Sequence, residues 1–108
     1  MSDGRIRSLL SLHPKGGDYD AVVDYFRSHR ILELAKESGG CLDAALLVPI
    51  PRTGPMLATA TWSRESDYRR WTTNPNRVAF TPGLAALLEN DPVSGDTYDV
   101  RIEITERT

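Results

Sequence analysis

Residues 39–62 read GGCLDAALLVPIPRTGPMLATATW. Two apolar runs, 41–48 and 56–62, flank a segment that contains three prolines. Apolar runs bounded by proline and glycine predict strands, and their closeness in sequence predicts an antiparallel pair. Apolar residues occupy both alternating positions of these runs, so both faces of the pair are apolar. Helices can cover only one face of such a sheet, and the other needs a second cover. The simplest cover is another copy of the same sheet, and we expect a face-to-face homodimer.

A strand and a helix precede this pair. Residues 5–12 read RIRSLLSL, and their alternation of apolar and polar side chains predicts a strand. Asp18 can cap a helix, and apolar residues at helical spacing extend that helix over about 18–37. Gly39 and Gly40 end it, because glycine readily takes the left-handed conformation that follows many helices.

Helical signals and a final strand follow the pair. Tyr68 and Trp71 lie three residues apart, on one face of a short helix. The pairs Asn74-Pro75 and Thr81-Pro82 each combine a capping residue with a first-turn proline. They predict that this helical region is broken into two or three pieces. Residues 98–104 alternate again and predict a last strand with one solvated face.

The predicted order is β-α-β-β-α-β. This order indicates an α+β protein of the ferredoxin-like arrangement, with one four-stranded antiparallel sheet and its helices on one face. The chain has 108 residues, which suits one domain over residues 1–108, and we place its core at about 5–105.

Composition removes several classes of function. The net charge is −2 and the pI is about 5.6, which gives no electrostatic basis for binding nucleic acid or anionic membranes. One cysteine and two histidines, widely spaced, offer few ways to build a metal site, so we expect no metal and no cofactor. The sequence shows no secretion signal or membrane span, and we expect a cytoplasmic protein.

Other functions known for this arrangement also lack their residues. RNA-binding modules carry aromatic side chains on the first and third strands, where this sequence has Leu9 and Met56. Metal-carrying versions need paired cysteines after the first strand. The Gly16-Gly17 loop before a helix could cradle a phosphate, but the Asp18 carboxylate would occupy that helix end and repel an anion.

A block of residues resembles the antibiotic biosynthesis monooxygenase domain of the dimeric α/β barrel superfamily. It consists of Gly40-Cys-Leu before the strand pair, then Thr61-Trp-Ser-Arg-Glu-Ser-Asp-Tyr-Arg-Arg-Trp71, and then Asn74-Pro75. The resemblance covers roughly residues 5–90. It implies a dimeric α/β barrel, and among its activities is cofactor-independent oxygenation of aromatic polyketides.

The resemblance carries over residue by residue. Members that oxidise aromatic polyketides to quinones use a Trp at the end of the third strand and a Tyr six residues later, which match Trp62 and Tyr68. They place an Asn where this chain has Ala58. Heme-degrading members use a Trp that matches Trp71, but their histidine falls on Thr81, so the heme reading lacks its axial ligand. We expect a pocket between sheet and helices, with its other walls at Phe26, Ala58, Trp71 and Phe80.

The first helix adds a second candidate region. At 100° per residue, Arg30 projects into the apolar stripe, with His29 and Glu33 beside it. Three alternatives stay open: all three residues are exposed, Arg30 pairs with Glu33, or the helix end lines the pocket. A bend near Ser28 would expose all three. In the pocket, His29 would be the base, because its pKa near 6.5 suits proton abstraction, and Arg30 would meet a substrate oxygen.

These observations predict a cofactor-independent monooxygenase that uses dioxygen on an aromatic, polyketide-like phenol or anthrone. Trp62 and Tyr68 would orient the substrate, and His29 or Arg30 would help to remove its proton. A second prediction is a non-oxidising binding protein or polyketide cyclase of the same fold, favoured by Ala58 in place of the family's Asn. A third is a barrel in which the aromatic residues only pack.

Overall fold

The computed structural model describes residues 4–92 and 95–104. The expected core ends at residue 105, which lies outside the described residues. One four-stranded sheet has the order β2-β3-β1-β4, and every neighbouring pair is antiparallel. Its strands are β1 (Ile6–Leu12), β2 (Cys41–Leu47), β3 (Met56–Trp62) and β4 (Asp96–Asp99). The helices are α1 (Tyr19–Ser28), α2 (Ile31–Glu37), α3 (Glu65–Thr72) and α4 (Pro75–Ala85). The predicted α+β, ferredoxin-like fold is confirmed.

The centre of the sheet carries small side chains on its helix-covered face. Ala58 of β3 pairs with Leu10 of β1 and with Leu46 of β2. Next to it, Ala60 pairs with Ser8 and Ala44. Larger residues, Met56 and Trp62, stand at the two ends of β3 and are buried. Because the alanine side chains in the middle of this face are short, the helices above it do not fill all the space.

The first helical region is two helices, and the expectation of one helix over 18–37 is wrong. Asp18 caps α1 by accepting a hydrogen bond from the Ala21 amide at 3.1 Å, as predicted. The break comes at Arg30, whose φ of 51° lies in the left-handed region. Phe26 and Ile31 are both buried although they lie five residues apart. The change of direction at Arg30 lets both reach the core, which a straight helix would not allow.

The second helical region is also two helices. Asn74 caps α4 through a 2.8 Å hydrogen bond from the Asn76 amide, and Pro75 follows at the first helical position, as predicted. The predicted break at Thr81-Pro82 is wrong, because α4 runs through both residues. The Thr81 hydroxyl donates to the Arg77 carbonyl at 2.6 Å, inside the helix.

The last strand is shorter and earlier than predicted. β4 covers Asp96–Asp99, pairs with residues 6–9 of β1, and is exposed along its length. Residues 100–104 alternate as a strand would but lie outside β4. The Val100 amide donates to the carbonyl of Arg5, the residue before β1, at 3.0 Å. Ile102 and Ile104 are 89% and 94% exposed.

The helix-free face of the sheet is mixed in character. Leu9, Leu57 and Leu47 are partly or largely exposed there. At one end the Glu103 carboxylate pairs with the Arg5 guanidinium at 2.6 Å and with Arg7 at 3.6 Å. This end is therefore charged, and the apolar part of the face lies beyond it.

Candidate active site

A cavity of about 70 Å³ lies between the sheet and the helices. Small residues of the sheet form its floor, and side chains from α1, α2, α3 and α4 form its walls. Apart from the Trp62 indole, the polar side chains of the lining are few: Ser8, Thr59, Tyr68, Arg77 and Thr81. An apolar cavity with a small number of placed polar groups is the usual form of a small-molecule site. The lining includes six of the eight sequence-predicted site residues: Phe26, Ala58, Trp62, Tyr68, Trp71 and Phe80.

Trp62 forms one end of the cavity and is 1% exposed. Its indole Nε1–H donates to the Ser8 hydroxyl at 3.0 Å. Ser8 and Trp62 lie on the adjacent antiparallel strands β1 and β3, offset by one pair along the same face. The indole N–H is therefore already engaged, and Trp62 presents its ring to the cavity. The Ser8 hydroxyl, which accepts this bond, keeps its own hydrogen for another acceptor.

Tyr68 stands beside Trp62, with ring centroids 5.6 Å apart. Its hydroxyl oxygen accepts a hydrogen bond from the Gly95 amide at 2.9 Å. Helix α3 is fixed here by the buried Asp67, which pairs with Arg70 at 2.8 Å and packs directly against Gly40. Gly40, which was predicted to end the first helical region, has a φ of 77°. Because it has no side chain, it also makes room for Asp67. These contacts position the Tyr68 hydroxyl.

Arg77 is the charged group of the cavity, and its side chain is nine-tenths buried, at 9% exposure. Its guanidinium donates to the Thr72 carbonyl at 3.4 Å. Within residues 4–92 and 95–104, Arg77 makes no ion pair. The carboxylates of Glu65 and Asp67 on α3 pair instead with Arg69 and Arg70 of the same helix. Burial lowers the pKa of Arg77, and the neighbouring Tyr68 acts against that shift.

α4 is held over the cavity by contacts with α1. The Tyr25 hydroxyl donates to the Phe80 carbonyl at 2.7 Å. Gly83 lies against the Tyr25 ring, where a side chain on residue 83 would overlap the hydroxyl. Burial raises the pKa of Tyr25. These contacts set the position of Phe80 and, on the same helix, of Arg77.

His29 and Arg30 lie outside the cavity and are exposed. The His29 ring stacks on Tyr25 with centroids 3.9 Å apart, and its Nδ1 lies 3.1 Å from the Ser28 hydroxyl. Arg30 pairs with Glu37 at 3.1 Å, and not with Glu33. The turn between α1 and α2 directs both side chains to solvent. Of the three alternatives, the structure therefore shows the exposed one.

Sequence reasoning missed Arg77 and Ser8 as residues of the cavity. The signal for Arg77 is present in the sequence, because positions 77, 80 and 84 follow helical spacing and Phe80 and Leu84 are apolar. An arginine in an apolar stripe is a candidate for burial, and of the two such arginines Arg77 is buried whereas Arg30 is exposed. Ser8 likewise shares the parity of Ile6 and of the other inward-facing residues of β1.

Solved structures of similar fold include three described as "putative antibiotic biosynthesis monooxygenase". The protein from Nitrosomonas europaea aligns with a TM-score of 0.76 at 11% identity, over 94% of this chain and 94% of its own. The protein from Caulobacter crescentus gives 0.75 at 14% identity, over 94% and 92%. The protein from Bordetella bronchiseptica gives 0.73 at 12% identity, over 94% and 99%.

The chain has their fold. The predicted resemblance to the antibiotic biosynthesis monooxygenases is thus confirmed at the level of the fold. The sequence matches no protein-family model and no curated protein. At these identities the antibiotic biosynthesis monooxygenase fold is shared, and an activity has to be argued from the residues of the site.

The cavity is small for a multi-ring molecule. Its volume of about 70 Å³ is roughly half that of an engineered protein cavity of about 150 Å³ that binds benzene. Leu32 of α2 lines this cavity and also two surface hollows, of about 340 and 230 Å³. Leu32 therefore lies between the cavity and both hollows, with Ala44 beside the first hollow and Phe26 beside the second, and displacement of Leu32 would enlarge the site.

Within residues 4–92 and 95–104, no group of three or more His, Cys, Asp or Glu side chains is arranged to hold a metal ion. No helix in the described part of the chain is long and apolar enough to cross a membrane.

Proposed function

We propose that the cavity is the substrate site of a cofactor-independent monooxygenase that acts on an electron-rich aromatic, a phenol or anthrone of polyketide type. The observation that carries the proposal is that Trp62 and Tyr68, the pair named by the family resemblance, line one cavity with their rings 5.6 Å apart. Their contact with open space is what an orienting role requires.

The reaction needs little from the protein. An anthrone that has lost a proton can pass an electron to dioxygen, and its carbon then bonds to one oxygen atom. In the complete reaction the CH₂ group becomes a carbonyl, one oxygen atom enters that carbonyl, and the other leaves as water with the two hydrogens. The substrate supplies all four electrons, so no separate reductant is needed. The site has to bind, orient and exclude water.

Each residue of the cavity has a defined part in this proposal. The Tyr68 oxygen is held by the Gly95 amide, so its hydroxyl hydrogen can donate to the substrate oxygen and favour the ionised form. Trp62, Trp71 and Phe80 provide apolar walls that keep water away. Because His29 and Arg30 are exposed outside the cavity, the proposal gives neither of them contact with the substrate.

A second candidate is a non-oxidising binding protein or cyclase-type protein of the same fold. The observation that favours it is the hydrogen bond from Trp62 to Ser8, which leaves no free indole N–H for dioxygen or substrate. Ala58, in the position of the family's Asn, lines the cavity with a methyl group only. Such a site would hold an aromatic molecule without oxidising it.

Oxygen uptake separates the two candidates. Metal-stripped protein is incubated with an anthrone, and dioxygen consumption and quinone absorbance are followed together. The proposal expects saturable uptake that Tyr68→Phe lowers by about tenfold or more. The matched control is Tyr19→Phe. The Tyr19 hydroxyl donates to the Gly54 carbonyl at 2.7 Å, and Tyr19 does not line the cavity. Saturable binding without uptake supports the second candidate, and equal loss in both variants contradicts a specific role for Tyr68.

We also propose that the helix-free face pairs two copies of the chain. Leu9, Leu57 and the 46% exposed Leu47 support this, because such a patch is costly to leave in water. Sedimentation at micromolar concentration tests it. A stable particle near the 12.0 kDa of one chain would contradict it, and Leu57→Lys should shift a dimer towards that mass.

A further inference from the structure

Arg77 presents an unusual balance of charge in this cavity. A guanidinium carries five N–H donors and stays protonated in proteins. In the part of the chain that the structure describes, only one of them has an acceptor, the Thr72 carbonyl at 3.4 Å. A buried charge without a partner is destabilising, and buried charges in proteins are normally paired. The usual reasons for a buried arginine are therefore missing here.

The surroundings of Arg77 offer it no acid. Helix α4 reads PNRVAFTPGLA and contains no Asp or Glu. The acidic residues of the preceding helix that form ion pairs are already taken, Glu65 by Arg69 at 3.1 Å and Asp67 by Arg70 at 2.8 Å. The other lining residues of the cavity carry no negative charge. The missing acceptor of Arg77 would thus have to enter the cavity from outside.

From this geometry we infer that Arg77 binds a carboxylate of the ligand, so that the site takes an aromatic acid with its ring against Trp71 and Phe80. This inference rests on the proposed function only in placing the ligand in this cavity. A carboxylate offers two oxygens in a plane, which matches the fork of donors on a guanidinium. It is also ionised at neutral pH before it binds, whereas a phenol would have to lose its proton.

The apolar part of the ligand follows from the walls. Trp71 and Phe80 pack with centroids 6.1 Å apart, and both line the cavity together with Arg77. A flat ring can lie against these aromatic side chains. Ser8 of the floor and Tyr68 of α3 also line the cavity, each with a hydroxyl hydrogen that could reach a second oxygen on the ring. The ligand class is accordingly an aromatic carboxylic acid, with hydroxyl substituents recognised by Ser8 and Tyr68.

Matched probes test the inference without requiring turnover. Benzoate and benzamide have nearly the same shape but differ in charge, and their binding is followed by tryptophan fluorescence, since both tryptophans of the chain line the cavity. Wild-type protein should bind benzoate about tenfold or more tightly than benzamide. Acetate, which has the carboxylate without the ring, should bind more weakly than benzoate.

Variants at two arginines complete the experiment. Arg77→Met should abolish the preference for benzoate, and Arg77→Lys should keep part of it because the charge remains without the fork. The control is Arg69→Met, the same change at an exposed arginine of α3, which should keep the full preference. The melting temperature of unliganded Arg77→Met should not fall, because the change removes an unpaired buried charge.

The outcomes are distinct. Equal binding of benzoate and benzamide by the wild type, binding of neither probe at millimolar concentration, acetate binding as tight as benzoate, or an unchanged preference in Arg77→Met would each overturn the inference. Failure of the anthrone to be oxidised, with the benzoate preference intact, overturns the oxygenase and leaves the carboxylate site standing. Oxidation of the anthrone by a protein that shows no preference for benzoate overturns the carboxylate site and leaves the oxygenase standing.

Discussion

The contact between Gly40 and Asp67 makes a quantitative prediction about the support of the candidate site. Replacing Gly40 by Ala places a methyl group where the Asp67 carboxyl group lies. The backbone of Gly40 cannot easily move away, because its carbonyl accepts a hydrogen bond from the Ser63 amide at 2.8 Å. Asp67 is buried and directly precedes Tyr68, so relief of the overlap has to displace the start of α3.

The magnitude follows from two separable costs. An alanine at a left-handed φ costs about 1 kcal/mol relative to glycine. Overlap in a packed region costs about 1–3 kcal/mol more. Gly16 isolates the first cost, because its φ of 62° is similar and nothing lies within 4 Å of an added methyl group. We therefore expect Gly16→Ala to lose about 1 kcal/mol of unfolding free energy, and Gly40→Ala about 2–4 kcal/mol.

Denaturant unfolding followed by circular dichroism measures both variants. In a thermal scan the larger loss corresponds to a fall in Tm of roughly 10 °C, at about 4 °C per kcal/mol for a domain of this size. A double-mutant cycle with Asp67→Ala identifies the cause, since the Gly40→Ala penalty should fall by about 1 kcal/mol or more when the carboxyl group is absent. Equal losses for Gly16→Ala and Gly40→Ala, or strictly additive values in the cycle, would refute the reasoning.

Three further predictions concern the cavity and its surroundings. Ser8→Ala should lower the unfolding free energy by about 1–3 kcal/mol, because it leaves the buried Trp62 N–H without its acceptor. Ser11→Ala, on the exposed side of the same strand, should change the unfolding free energy by no more than about 0.5 kcal/mol. Denaturant unfolding of both variants measures these losses, and equal losses would contradict the prediction. Leu32→Ala should open the cavity to the neighbouring hollows and increase acrylamide quenching of tryptophan fluorescence, which would be unchanged if Leu32 were not the barrier. Burial raises the pKa of Cys41, so the contribution of this thiol to stability is present below the ordinary thiol pKa of about 8.5 and is lost at higher pH. The unfolding free energy of Cys41→Ala should therefore fall less steeply with alkaline pH than that of the wild type. Parallel curves of unfolding free energy against pH would contradict this.

The fold could be predicted because its strands carry clear local signals. The bounds of β3 follow from an apolar run between Pro55 and Ser63, and the end of the first helical region follows from Gly39 and Gly40. The break at Arg30 could not be predicted, since no glycine or proline marks it. It arises from the need to bury both Phe26 and Ile31, which is a property of the packed molecule.

The limits of the last strand have a similar explanation. Residues 98–104 alternate, but alternation predicts a strand only where a sheet edge and a face are available to it. Beyond Asp99 the chain turns so that Glu103 meets Arg5 and Arg7, and Ile102 and Ile104 remain in water.

The site was predictable in its aromatic residues and not in its polar ones. Trp62, Tyr68 and Trp71 stand out by type and spacing, whereas the partner of the Trp62 indole and the isolation of Arg77 depend on residues far apart in the sequence. His29 suits a base by its ordinary pKa, but a turn of the backbone decides which way it points. Residue type identifies candidates, and tertiary contacts select among them.

β1 contributes side chains to both faces of the sheet. Ser8 belongs to the cavity, while its neighbours Arg7 and Leu9 belong to the opposite face of the sheet. A ligand that pushes this strand by a fraction of an ångström moves both surfaces together. Occupancy of the proposed site and the proposed self-association of the chain would then be thermodynamically linked, and each would change the other by the same factor. Substitutions selected for one surface would accordingly be filtered by their effect on the other.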